Sequence, residues 1–201
     1  MSFPVVWAGT RYTCTPAPLL PSQLKVIAYS QNDPRWKSLV YAGNTTFGKA
    51  GCLVVAVTMM ASLVYADEFT PVDVARHLRD VGAFNGAMLA SPARIPRAFA
   101  RLEWGGVVHW RKKPADIGAL RGELERHGAA ICEVKWNPAG PSPEQNNQHF
   151  VIVEGLTESG DAAIVDPWDG KRKALSGTRY RLDGWDAART LYGIRLVRPV
   201  L

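Results

Sequence analysis

Gly48-Lys49-Ala50-Gly51-Cys52-Leu53-Val54-Val55-Ala56-Val57-Thr58-Met59-Met60-Ala61-Ser62-Leu63-Val64-Tyr65 is the stretch around which the chain is organised. A glycine-bearing loop delivers one cysteine to the head of a segment that is apolar on every side. From Leu53 to Tyr65 only Thr58 and Ser62 are polar. A helix with that pattern has no solvent face and belongs inside the protein. Cys52 falls in its first turn, where unpaired backbone N–H groups and the positive end of the dipole favour a thiolate. The plainer reading is a small core cysteine, and Gln31, His149 and Asp166 are the residues that bear on the choice.

Upstream, residues 1–24 carry Pro4, Pro16, Pro18 and Pro21 with Phe3, Trp7 and Tyr12. The prolines exclude a regular helix or a central strand. The span reads as an extended, proline-rich arm, and its aromatic side chains predict docking on a surface, at least partly that of another subunit. Residues 25–201 form the second unit. Within it, Lys25–Tyr29 reads as a short strand, Ser30–Trp36 as a turn, and 37–51 as a polar loop leading to Cys52.

Downstream, Thr70 caps a second helix with Pro71 at its first position and Asp73 in its first turn; it runs to about Val81 and Gly82 ends it. Residues 83–104 read as a mobile or substrate-facing region with a short helix at 94–103. Val107–Trp110 reads as a strand and Pro114–His127 as a helix closed by Gly128. The pattern then turns to strands at 130–136, 149–154, 161–165, 172–182 and 190–198, with a polar loop at 137–148. Helices first and an antiparallel sheet second make an α+β protein.

His149 opens the strand Phe150-Val151-Ile152-Val153, and Asp166 closes the next, Ile164-Val165-Asp166. Neighbouring antiparallel strands joined through Gly155–Gly160 bring the two side chains together. His149 then takes a proton from Cys52 while Asp166 fixes its tautomer, the arrangement that covalent acyl transfer needs. Gln31 and the Cys52 backbone N–H supply donors for an oxyanion. Each residue also has a plainer reading: Asp166 as a strand-ending turn residue, His149 as a satisfied strand-edge histidine, Gln31 as turn polarity. Trp36 and Trp168 read as packing beneath the site, Asn146, Asn147 and Gln148 as loop polarity, and Cys14 and Cys132 as structural.

Composition narrows the classes further. Three cysteines with no CxxC pair argue against a disulfide framework, and four scattered histidines against a zinc site. No cofactor is implied. The net charge of +6 attracts polyanions, an anionic cell-wall polymer among them. Arg111-Lys112-Lys113 and Lys171-Arg172-Lys173 lack the aromatic interleaving of a nucleic-acid module and read as solvated loop or strand-edge charges. No run is long enough for a membrane span and the first twenty residues lack a secretory pattern, so synthesis in the cytoplasm is expected.

Taken in order, Tyr29-Ser30-Gln31-Asn32-Asp33-Pro34-Arg35-Trp36, Gly51-Cys52, Thr70-Pro71, His149-Phe150-Val151-Ile152-Val153-Glu154-Gly155 and Asp166-Pro167-Trp168 resemble the landmarks of the bacteriocin-processing type of papain-like cysteine peptidase, family C thirty-nine, and especially its stand-alone relatives. The resemblance covers about residues 25–170. It implies a papain-like fold, with Cys52 as nucleophile, His149 as base, Asp166 as orienting acid and Gln31 as side-chain oxyanion donor. Relatives usually continue Gly-Cys with a small glycine- or proline-containing turn, whereas Leu53-Val54-Val55 follows here. The function implied is a thiol hydrolase of peptide or amide bonds. Its substrate would be a protein, a leader peptide or the peptide stems of a bacterial wall, and the setting a phage tail or similar particle. The alternative is a catalytically silent papain-like module serving as a structural or binding part of such an assembly.

Overall fold

A computed structural model describes residues 3–7, 10–14, 26–86, 92–109, 117–135, 148–178, 180 and 191–199. In chain order the elements are β1 (Phe3–Trp7), β2 (Thr10–Cys14), β3 (Val40–Ala42), β4 (Thr45–Thr46), α1 (Phe47–Ala50), α2 (Cys52–Tyr65), α3 (Pro71–Asp80), α4 (Ile95–Ala98), β5 (Leu102–His109), α5 (Ile117–His127), β6 (Ala130–Lys135), β7 (Gln148–Leu156), β8 (Ala162–Asp166), β9 (Lys171–Ala174) and β10 (Leu191–Pro199). The protein is α+β, with a six-stranded antiparallel sheet in the order β5-β10-β6-β7-β8-β9.

Helix α2 is the core helix that its composition predicts. Every residue from Leu53 to Tyr65 is buried. Its two polar side chains are satisfied locally: Thr58 Oγ1 donates to the Val54 carbonyl at 2.9 Å, and Ser62 Oγ accepts from Phe69 N at 3.2 Å. The helix ends at Ala66, which takes a left-handed conformation with φ of 52°. Helix α3 carries a full capping box between Thr70 and Asp73, with Pro71 in its first turn. Gly82 follows with φ of 65°, a value that favours glycine.

Alternation divides the sheet between two cores. Ile131, Phe150, Ile152 and Val165 join the cluster built on α2. Ala130, Cys132, Val134, Val151, Val153 and Ile164 join a second cluster with Leu120 and Leu124 of α5 and with Tyr180. Strands buried on both faces read as continuous apolar runs, which is what residues 150–153 and 162–165 show.

Several local expectations need correction. Residues 26–30 are not a strand; the Val26 carbonyl is taken by the Arg172 guanidinium and Gln31 N donates to the Pro167 carbonyl, so side chains and a loop replace a ladder. The segment 37–51 is not a plain loop but the β3–β4 hairpin, turned at Gly43 with φ of 53°, followed by α1, whose Phe47 is buried. The helix expected at 94–103 is a 3₁₀ turn at Pro92–Arg94 and one turn of α4. Ile95, Phe99 and Leu102 are buried there, while Arg94, Arg97 and Glu103 are exposed. Strand β5 begins at Leu102 rather than Val107, and β9 stops at Ala174 before a 3₁₀ turn at Leu175–Gly177.

The backbone of Phe3–Trp7 pairs antiparallel with Thr10–Cys14, so the front of the arm is a hairpin rather than a single extended strand. Pro4 is tolerated because a two-stranded ribbon consists of edges. The arm's aromatic side chains, residues 15–24, the Arg111-Lys112-Lys113 cluster, the helix start at Pro114, the loop up to Asn147 with Asn146, and the strand beyond Tyr180 lie outside the described residues. Among the described residues no helix is long and apolar enough to cross a membrane.

Candidate active site

The sheet's register explains how His149 and Asp166 meet. Ile152 lies opposite Val165, which places Asp166 across from Val151. His149, two residues before Val151, shares its face and is the diagonal neighbour of Asp166, within reach of two such side chains. Both are buried, and His149 Nε2 lies 2.8 Å from Asp166 Oδ1. A carboxylate only accepts, so Nε2 carries the hydrogen and donates it. That leaves Nδ1 for Cys52, whose side chain also hydrogen-bonds the ring.

Cys52 is the first residue of α2, with Gly51 as the preceding cap. No turn separates the cysteine from the helix, so Leu53-Val54-Val55 enters the core directly. Gly51 is fixed by space: a Cβ there would stand 2.6 Å from the Phe47 carbonyl oxygen. The thiol is half-buried, in contrast with Cys132, which is fully buried and whose thiol is pushed far up by burial alone. Cys132 is therefore an inert core thiol, as its mid-strand position predicts.

Burial works against charge on His149, but its hydrogen bond to Asp166, the hydrogen bond with Cys52 and the attraction of both groups outweigh it and push its pKa up to about 9. Asp166 is driven the other way: burial penalises its charge, yet the bonds to His149, Lys173 and Trp168 N hold it well below the usual carboxylate range. The site thus favours an imidazolium between two groups able to carry negative charge.

Gln31 is buried at the loop that leads to Cys52. Its Nε2 donates to the Gly48 carbonyl at 3.1 Å, so one of its two N–H bonds is committed there rather than to the thiol. Its Oε1 is buried without a hydrogen-bond partner among the described residues. The segment 30–32 is strapped to the chain after Asp166. Ser30 Oγ and Asn32 Nδ2 donate to the Trp168 carbonyl at 2.9 and 2.8 Å, and Gln31 N to the Pro167 carbonyl at 2.6 Å. Gly170 makes this approach possible; it has φ of 68°, and a Cβ would meet Ser30 N at 3.2 Å.

Two residues escaped the sequence reading. Tyr180 Oη donates to Asp166 Oδ2 at 2.7 Å, and its ring lies 5.1 Å from the His149 ring at 33°. Lys173 Nζ reaches the same Oδ2 at 2.9 Å and also Asp169 at 2.9 Å. The Lys171-Arg172-Lys173 run does lie on an edge strand, but two of its three charges are engaged, Arg172 pairing with Glu154 at 2.9 Å. Alternation along β9 was the one available signal, since it turns Lys173 to the side opposite Arg172. Trp36 is buried with its Nε1 on the Ser30 carbonyl at 2.7 Å, consistent with packing beneath the strap. Trp168 contributes backbone, donating N–H to Asp166 Oδ1 at 2.9 Å.

No protein-family model matches the chain. No curated protein matches it either. The chemistry of the site therefore carries the functional reading.

Proposed function

We propose that this protein is a papain-like thiol hydrolase that cleaves peptide or amide bonds through Cys52, His149 and Asp166. The observation that carries the reading is the continuous hydrogen-bonded chain from a half-buried thiol at a helix head, through a buried imidazole, to a buried carboxylate. In such a site the Cys52 proton passes to His149 Nδ1 and Sγ attacks the carbonyl carbon of the substrate. The oxyanion is met by N–H groups of the first turn of α2 and by the uncommitted N–H of Gln31. Collapse expels the amine, which takes the proton from His149. Water, giving its proton to His149, then attacks the thioester and releases the acid and the free thiol. Asp166 keeps the ring in the tautomer that every step requires. In a papain-like fold α2 would be the central helix and β7–β8 the strands bearing base and acid. The net charge of +6 fits an anionic polymer such as a bacterial wall, with its peptide stems as the substrate class.

The test is mass spectrometry after brief treatment of the native protein with iodoacetamide. Modification of Cys52 well ahead of Cys132 is the expected result. Equal and slow modification of both would overturn the reading. The second reading, a silent binding module, draws on the engagement of Gln31 Nε2 with Gly48, and slow Cys52 alkylation is the outcome that favours it.

A further inference from the structure

We propose that Tyr180 and Lys173 are positioning residues for this site, which together occupy Oδ2 of Asp166 so that only Oδ1 is offered to His149. The catalytic consequence rests on the hydrolase reading above; the geometry does not.

A carboxylate has room for about four donors, and Asp166 has four. Oδ1 receives His149 Nε2 at 2.8 Å and Trp168 N at 2.9 Å; Oδ2 receives Tyr180 Oη at 2.7 Å and Lys173 Nζ at 2.9 Å. With both oxygens occupied the carboxylate cannot rotate to offer Oδ2. Tyr180 acts on two members at once. Its hydroxyl holds the acid while its ring lies against the imidazole, 5.1 Å between centroids, and limits the tilt of that ring. Tyr180 and Asp166 are both buried, so neither contact is screened by water.

Electrostatics give the pair a second task. Lys173 and Tyr180 draw negative charge toward Oδ2, which weakens the pull of Oδ1 on the imidazolium. Among the described residues Cys52 from α2, Asp166 from β8 and Tyr180 face His149, while Lys173 on β9 acts through Asp166 and is itself shared with Asp169. Without the two donors Asp166 would hold the imidazolium more tightly and to higher pH. His149 would then be a weaker acid toward the leaving amine.

The experiment compares Tyr180→Phe, which keeps the ring and removes the hydroxyl, with Lys173→Met, on the full chain. The His149 ring is titrated by NMR, and kcat and KM are measured on a peptide substrate. Both variants should move the His149 titration to higher pH. Tyr180→Phe should lower kcat about threefold to tenfold, and Lys173→Met about tenfold or more, with KM little changed. Lys173→Arg should restore the parent titration, which a merely structural role would not require. An unchanged His149 titration in both variants would overturn the proposal. Should Tyr180→Phe fail to fold, the part-exposed Lys173→Met decides alone. If Cys52 of the parent protein proves unreactive, the hydrolase reading falls, while the His149 titrations still decide what Tyr180 and Lys173 do.

Discussion

At the scale of single residues, the three members of the site differ in what each removal takes away. On the proposed mechanism Cys52→Ala deletes the attacking atom and should abolish turnover while leaving the fold intact, since a half-buried residue is trimmed from a helix otherwise held by thirteen buried residues. His149→Ala deletes the proton carrier. Asp166→Asn keeps shape and loses charge, so it disturbs orientation without removing the base. It should retain roughly 50- to 100-fold more activity than His149→Ala, because orienting acids cost less than bases when removed singly. Steady-state kinetics on one peptide substrate with the three purified variants checks the order. Full activity in Cys52→Ala would mean that another group does the chemistry.

At the scale of elements, α2 has one weak point, and it lies at the far end from the site. Ala66 is exposed and caps the helix with φ of 52°, a left-handed conformation that costs a residue bearing a Cβ about 1–2 kcal/mol. Its N–H closes onto the Ser62 carbonyl, so the conformation is used to satisfy the helix end. Ala66→Gly should therefore stabilise the protein by about 1 kcal/mol, less the glycine's greater chain entropy when unfolded. For a chain of this length that is a rise in Tm of roughly 2–4 °C, read by thermal denaturation. A fall in Tm would mean that the Ala66 methyl contributes packing that outweighs its backbone strain. The same substitution should leave Cys52 alkylation unchanged, because the two stand at opposite ends of the helix.

At the scale of the whole molecule, the buried charges of the site tie stability to pH. His149 is raised from its ordinary 6.5 to about 9, so its contribution is fully present below about pH 6.5 and is lost as pH rises through 9. Asp166 is depressed, so its contribution is present above the ordinary carboxylate pKa of about 4 and is lost as pH falls through its lower folded value. Thermal stability should therefore be greatest between about pH 4 and 6.5 as far as these two groups decide it, declining earlier on the alkaline side. Cys52→Ala removes one of the groups that raise His149, so its alkaline decline should be smaller and end at lower pH than in the parent protein. Tm measured against pH for both proteins tests this, and superimposable alkaline limbs would refute the coupling.

The sequence by itself determined what composition and period can determine. An unbroken apolar run has no alternative to burial, so α2 was legible residue by residue. The cap at Thr70, the stop at Gly82 and the strand character of 150–153 and 162–165 follow from equally local physics. The Cys52, His149 and Asp166 trio was legible because each stands at the end of such an element, where one polar side chain can meet another. What only tertiary structure decided is which backbones and side chains become neighbours. Strand β10, last in the chain, enters the sheet between β5 and β6, and no local pattern encodes that choice of partners. Residues 26–30 have the composition of a strand, but the Val26 carbonyl is taken by Arg172 and Ser30 is engaged by Trp36 and Trp168, so no ladder forms. Lys173 and Tyr180 reach Asp166 through cross-strand register and a turn, and register depends on long-range pairing that hydrophobic alternation constrains only to a face.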